Sequence, residues 1–141
     1  MDRVQKTEEV ILLAADEGRR YGMGDLTAIF KVDEAESGCR YSVSEWLLDP
    51  GFEGVGPHSH QANEELFHVL DGEPEILIGD SWTVVAKGTF VRILAQTMHD
   101  FHNRRSRPVR LRHAASGQQT GPDIHGGCAR ISRMPCKTDM E

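Results

Sequence analysis

Hydrophobic and polar residues recur in short runs at period two rather than in long helical stripes. Leu26 to Val32, Tyr41 to Leu48, Glu65 to Leu70, Glu75 to Ile78, Trp82 to Val85, Thr89 to Leu94 and Val109 to Ala114 are each β-prone and bounded by turn residues. This spacing predicts a sandwich or barrel of short strands. The separators are turn-like for physical reasons: Asp49-Pro50-Gly51 offers a preset φ followed by Gly, and Asp71-Gly72, Gly79-Asp80 and Lys87-Gly88 tolerate positive φ. In the run from Glu65, Phe67 and Val69 share the face of Glu65, while Leu66, His68 and Leu70 take the other. Val109, Leu111 and His113 likewise alternate with Arg110 and Arg112. On the Tyr41 to Leu48 strand, Tyr41, Val43, Glu45 and Leu47 oppose Ser42, Ser44, Trp46 and Leu48, and the pattern leaves open which set faces inward. The apolar run Val10 to Ala15 reads equally as a buried strand or the start of a short helix.

Length and composition narrow the class. The 141 residues suit one domain with one core, and fourteen Gly and six Pro without a repeating period suit many turns. The expected architecture is all-β. A net charge of -6 disfavours nucleic acid and anionic membranes as partners, leaving small molecules. Val10 to Ala15 falls far short of the roughly 20 residues that span a bilayer, and the acidic opening around Asp2, Glu8 and Glu9 is unlike a secretory signal. Cys39, Cys128 and Cys136 form no CxxC pair and suit free thiols. A cytoplasmic location is the expectation.

The chemistry concentrates in Pro57 to Gly72 and in Met98 to Asn103. His58 and His60 stand two apart, so on a strand both imidazoles project to one face, about 7 Å apart at the backbone. Glu65 opens the next run on its apolar face. His99 shares its parity with Phe101 and supplies a third nitrogen. Three neutral imidazoles and one carboxylate around a divalent ion leave a net charge of about +1, with one or two positions open. Such a donor set suits one divalent transition ion: Fe, Mn, Ni, Co, Cu or Zn.

These residues resemble the cupin superfamily, whose first motif reads G-x5-H-x-H-x3,4-E-x6-G and whose second reads G-x5-P-x-G-x2-H-x3-N. His58, His60, Glu65 and Gly72 fit the first, with Phe52 at its leading Gly and Gly51 and Gly54 close by. Gly88, His99 and Asn103 fit the second, with Leu94 in place of Pro and Gln96 in place of the inner Gly. The resemblance runs from about Gly24 to Ala115. It implies a jelly-roll barrel (double-stranded β-helix) over residues 24–115, with an N-terminal extension over 1–23 and an irregular tail or flap over 116–141. It also implies a homodimer and a likeness to the quercetin dioxygenase-like group. Carried over from flavonol dioxygenases, the role of taking the substrate's hydroxyl proton falls on Glu65. The functional expectation is a dioxygenase acting on a small phenolic or enolizable substrate. Its alternatives are a non-redox isomerase, dehydratase or cyclase, and a small-ligand-binding module without catalysis.

Other polar features carry plainer readings. Phe67, Phe101 and His113 are expected to line the substrate pocket, His113 either as an acid, base or hydrogen-bond donor or as a core histidine. Arg104, Arg105, Arg107, Arg110 and Arg112 could grip an anion but are expected to be mostly solvated. His68, His102 and His125 read as ordinary histidines. His125, Cys128 and Cys136 supply one ligand too few for a structural zinc site.

Overall fold

The computed structural model describes residues 9–117. Nine strands run in chain order: β1 Arg19–Met23, β2 Leu26–Val32, β3 Tyr41–Leu48, β4 Glu65–Asp71, β5 Glu75–Ile78, β6 Ser81–Val84, β7 Phe90–Ile93, β8 His99–His102 and β9 Val109–Ser116. They form a six-stranded sheet in the order β1-β2-β3-β9-β4-β7 and a three-stranded sheet in the order β6-β5-β8, with every strand pair antiparallel. No helix is present among the described residues, and none is therefore long and apolar enough to cross a membrane.

The two sheets enclose one core because the inward parity of each strand is apolar. Leu26, Ala28 and Phe30 of β2, Trp46 and Leu48 of β3, Phe67 and Val69 of β4, Ile76 of β5, Phe101 of β8 and Val109 and Leu111 of β9 all pack into it. Trp46, Phe67 and Phe101 meet edge to face, with centroids 4.3 to 5.9 Å apart. Burial thus resolves the face of β3 that its pattern leaves open: Ser42, Ser44, Trp46 and Leu48 point inward. Glu45 lies on the outer face, covered by Arg110 and Arg112, whose guanidiniums bind its two carboxylate oxygens. This double pairing outweighs the burial of Glu45 and lowers its pKa.

Two parts of the chain depart from expectation. Val10 to Ala15 is neither a strand nor a helix: Val10 and Leu12 are 97 % and 92 % exposed, while Ile11 and Leu13 face a cleft on the outer side of the large sheet with Val43 and Arg112. The run crosses a sheet face that has no free backbone partners to offer, so it stays irregular. Cys39 is disulfide-bonded, which corrects the reading of three free thiols and removes that support for a reducing compartment. β1, almost wholly exposed, is added at the sheet edge by its pairing with β2. Residues 118–141, with His125, Cys128 and Cys136, lie outside the described residues.

Turns follow the sequence closely. Gly51, Gly72, Gly79 and Gly88 all have positive φ. Gly72 is doubly constrained, because a Cβ there would lie 2.7 Å from the Pro108 carbonyl oxygen. Asn103, fully buried, ties three segments together. Its Nδ2 donates to the carbonyls of Leu48, Asp49 and Arg107, its Oδ1 accepts from Arg105 N–H, and its backbone N–H donates to Phe52 O. Asn103→Ala would remove the side-chain donor from the buried Leu48 carbonyl and from the part-buried carbonyls of Asp49 and Arg107, and is expected to lower stability by about 2 kcal/mol. Urea unfolding checks this, and a loss below about 1 kcal/mol would show that the loops are held otherwise.

Candidate metal centre

The site begins with a backbone constraint. His58 lies in the loop before β4 and His99 opens β8, yet they form an antiparallel bridge: His58 N–H donates to His99 O at 3.1 Å, and His99 N–H donates to His58 O at 2.8 Å. A further bond of 2.6 Å runs from Gln96 N–H to His60 O. The two ligand motifs are thereby zipped together whatever their side chains bind.

Gln96 has φ of 69°, so the position where the resembling motif carries Gly keeps its left-handed turn without Gly. Asp100, buried and pointing away from the barrel interior, accepts Val55 N–H on Oδ1 at 3.2 Å and Gly56 N–H on Oδ2 at 3.1 Å. That carboxylate staples the loop that delivers His58. A Cβ at Gly54 would sit 2.5 Å from the same carboxylate, which explains a glycine there.

Side-chain geometry fixes which nitrogens are free. His58 Nδ1 lies 2.8 Å from Gly56 O, and His99 Nδ1 lies 2.8 Å from Thr97 O. A carbonyl only accepts, so each Nδ1 carries the proton and each Nε2 presents a lone pair. One ligand atom from each of His58, His60 and His99 falls within 4.8 Å of the other two. Glu65 lies beside two of them. Its Oε2 is 2.7 Å from His60 Nε2 and its Oε1 is 3.3 Å from His99 Nε2. Yet both nitrogens are buried and lack a hydrogen bond of acceptable geometry. Close approach without alignment means that these polar atoms aim at a shared point rather than at one another. The donor set fits a divalent transition ion.

Electrostatics agree. Burial, helped by neighbouring His99 and His60, lowers the pKa of His58 and favours its neutral form. Burial opposes charge on both His99 and Glu65 but is outweighed at each: Glu65 raises the His99 pKa, and His113, with His60 and His99, holds the Glu65 pKa well below the usual carboxylate range.

The structure brings His113 into the group as well, with Nε2 3.5 Å from Glu65 Oε1. Phe67 and Phe101, 1 % and 3 % exposed, form the aromatic wall behind it rather than an open lining. His68 is exposed on the outer face of β4, and His102 stacks on Trp82 outside the small sheet at 3.8 Å. The arginine cluster is solvated or paired with acids: Arg105 with Glu73, and Arg110 and Arg112 with Glu45. Asp100 is the residue that sequence reasoning missed. Its only signal is its position next to His99, with opposite parity.

Comparison with known proteins now bears on this geometry. The Cupin domain family matches residues 44–114, half of the chain. The chain is a cupin. No curated protein matches its sequence. Among solved structures, a predicted oxalate decarboxylase from Thermotoga maritima superposes with a TM-score of 0.67 at 15% identity, covering 77% of this chain and 99% of that one. A Klebsiella pneumoniae protein with a double-stranded β-helix domain gives 0.65 at 19%, covering 80% and 95%. Ectoine synthase from P. lautus gives 0.61 at 17%, covering 79% and 78%. At these identities the likeness concerns the fold. Cupins commonly bind a metal, and the three imidazoles of this cupin can hold one.

Two outcomes follow from the site's geometry. Asp100→Asn would set an amide NH2 against one of the two N–H groups it now accepts. It is expected to weaken Ni(II) or Zn(II) binding about 10- to 100-fold, measured by chelator competition, with the fold retained by circular dichroism. Unchanged affinity would show that the loop holds itself. In metal-free protein, His99 is expected to titrate above an ordinary histidine by NMR, and Glu65→Gln to lower that value. A raised pKa means that protonated His99 stabilises the metal-free fold below the ordinary histidine value, and that the contribution fades as pH rises through the raised one. An ion displaces that proton, so metal binding should strengthen with rising pH across the His99 titration. A pH-independent affinity would contradict this.

Proposed function

We propose that this cupin is a metal-dependent enzyme that binds one divalent transition ion through His58, His60, His99 and Glu65, and acts as a dioxygenase on a small phenolic or enolizable molecule. The observation that carries the reading is the convergence of one ring nitrogen from each of three imidazoles, beside a buried carboxylate and in front of an aromatic wall. Such an ion supplies Lewis acidity that lowers the pKa of a substrate hydroxyl and, if redox-active, a route for electrons to dioxygen.

The chain's own residues do the rest. Glu65 is held as the anion, the form that accepts a proton. Its depressed pKa makes it a weak base alone, so it takes the hydroxyl proton only from a substrate acidified at the site. Phe67, Phe101 and Trp46 exclude water from behind the reacting face.

A second reading keeps the same site without redox chemistry, polarising a carbonyl for isomerisation, dehydration or cyclisation. The named activities among the structural neighbours favour it, since they include an ectoine synthase and a sugar phosphate isomerase of the cupin superfamily.

Oxygen uptake by the iron-, manganese- or nickel-loaded protein with flavonols, diketones and catechols separates the two. The dioxygenase reading expects consumption of one O2 per substrate turned over and loss of turnover under anaerobiosis. Turnover that persists without oxygen would replace it with the second reading. Glu65→Gln that retains its ion is expected to lose at least about 100-fold in kcat, the range of one acid–base group. A smaller loss would confine Glu65 to coordination.

A further inference from the structure

The core of the barrel contains a hydrogen-bond chain that the reaction scheme does not use. It runs across three adjacent strands of the large sheet. Trp46 and Ser44 lie two apart on the inner face of β3. Ser44 pairs with His113 of β9, and His113 pairs in turn with Phe67 of β4, whose inward neighbour two residues earlier is Glu65. The register alone therefore leads from the indole to the carboxylate.

The chain has a direction. An indole N–H only donates, and Trp46 Nε1 lies 3.0 Å from Ser44 Oγ. The Ser44 hydroxyl keeps its own hydrogen, and His113 Nδ1 lies 3.4 Å away to take it. Nδ1 is then the acceptor, so the proton of the neutral imidazole sits on Nε2, 3.5 Å from Glu65 Oε1. The reverse order would leave the serine hydrogen without a partner in the core and turn a nitrogen lone pair towards a carboxylate, both unfavourable. Nε2 is buried and makes no hydrogen bond of acceptable geometry as it stands, so Glu65 Oε1, 3.5 Å away, is the acceptor within its reach. The ring cannot swing away, because Trp46 stacks on it at 4.5 Å and Phe67 packs on it at 4.8 Å.

Resting on the metal site proposed above, we infer that His113 is a positioning residue that occupies Glu65 Oε1 and leaves Oε2, 2.7 Å from His60 Nε2, as the single oxygen offered to the ion. Glutamate can chelate with both oxygens. Here the imidazole N–H competes for one of them, so Trp46, Ser44 and His113 together keep open a coordination position that a bidentate carboxylate would fill. The consequence is a site with room for a small ligand beside the ion.

Cobalt(II) substitution tests this without turnover, because its visible absorption reports coordination number and its titration reports affinity. His113→Phe fills the same space but donates nothing, and is expected to change the cobalt spectrum and weaken binding about tenfold. His113→Gln, whose amide can reach the place of Nε2, is expected to restore the wild-type spectrum. Ser44→Ala leaves the imidazole in place but frees its tautomer, and is expected to shift the spectrum in the direction of His113→Phe. Wild-type spectra and affinities in both His113→Phe and Ser44→Ala would overturn the inference while leaving the metal site standing. If His113→Phe does not fold, Ser44→Ala decides alone. A wild-type protein that binds no cobalt overturns the metal site, and the inference with it.

Discussion

The centre depends on a pair of backbone hydrogen bonds between His58 and His99. Side chains alone would not bring these motifs together, since three neutral imidazoles have no strong attraction for one another. The bridge does so before any ion arrives, and Asp100 reinforces it from behind by accepting the Val55 and Gly56 N–H groups. Both Nδ1 atoms then meet backbone carbonyls two residues upstream, which turns both Nε2 atoms inward. The scaffold thus meets the cost of ordering the ligands, and ion binding need not.

The buried carboxylate is the counterpart of that arrangement. Taken alone, Glu65 in the interior would be costly to ionise. Among His60, His99 and His113 its anion is instead the favoured form, and the raised pKa of His99 shows the same attraction from the other side. Below its raised pKa, protonated His99 balances the charge of Glu65, and a bound cation would do so in its place. The cluster is satisfied in either state only because charge can be exchanged for charge, which suits a site that must hold its cation reversibly.

Much of this was legible in the sequence wherever parity governs. The inward faces of β4 and β9 and the Gly-based turns read correctly because period two and turn chemistry are local, whereas the H-x-H pair, expected on a strand, lies in a loop held by an isolated bridge. Features that depend on register were not legible. Nothing near Ser44 shows that it faces His113, since that follows from the pairing of β3 with β9, 69 residues apart. β1 escaped because Tyr21 and Met23 alone, in a five-residue edge strand with Arg, Arg and Gly, are too short an apolar face to mark it. Val10 to Ala15 misled for the opposite reason: an apolar run need not be regular structure when it only shields a sheet face. Gln96 stands between these cases, as the motif locates its turn while its identity hides the positive φ.

What the ion does depends on how a substrate reaches it, and exposure gives a direction. His99 and Glu65 are at most 9 % exposed at the side chain, whereas His60 is 21 % exposed and His58 half-buried. Phe67, Phe101 and Trp46 close the opposite side. On the proposed reading a ligand would enter past the H-x-H loop, its leading atoms nearing the ring nitrogens before they meet Glu65. That order favours a substrate whose hydroxyl or carbonyl is at its edge, with the rest of a flat body trailing towards the mouth. It also places the reacting carbon beyond the reach of bulk water once the body fills the opening. Oxygen chemistry and Lewis-acid chemistry both need that exclusion, so the division between them falls to the electronic character of the ion rather than to the shape of the barrel.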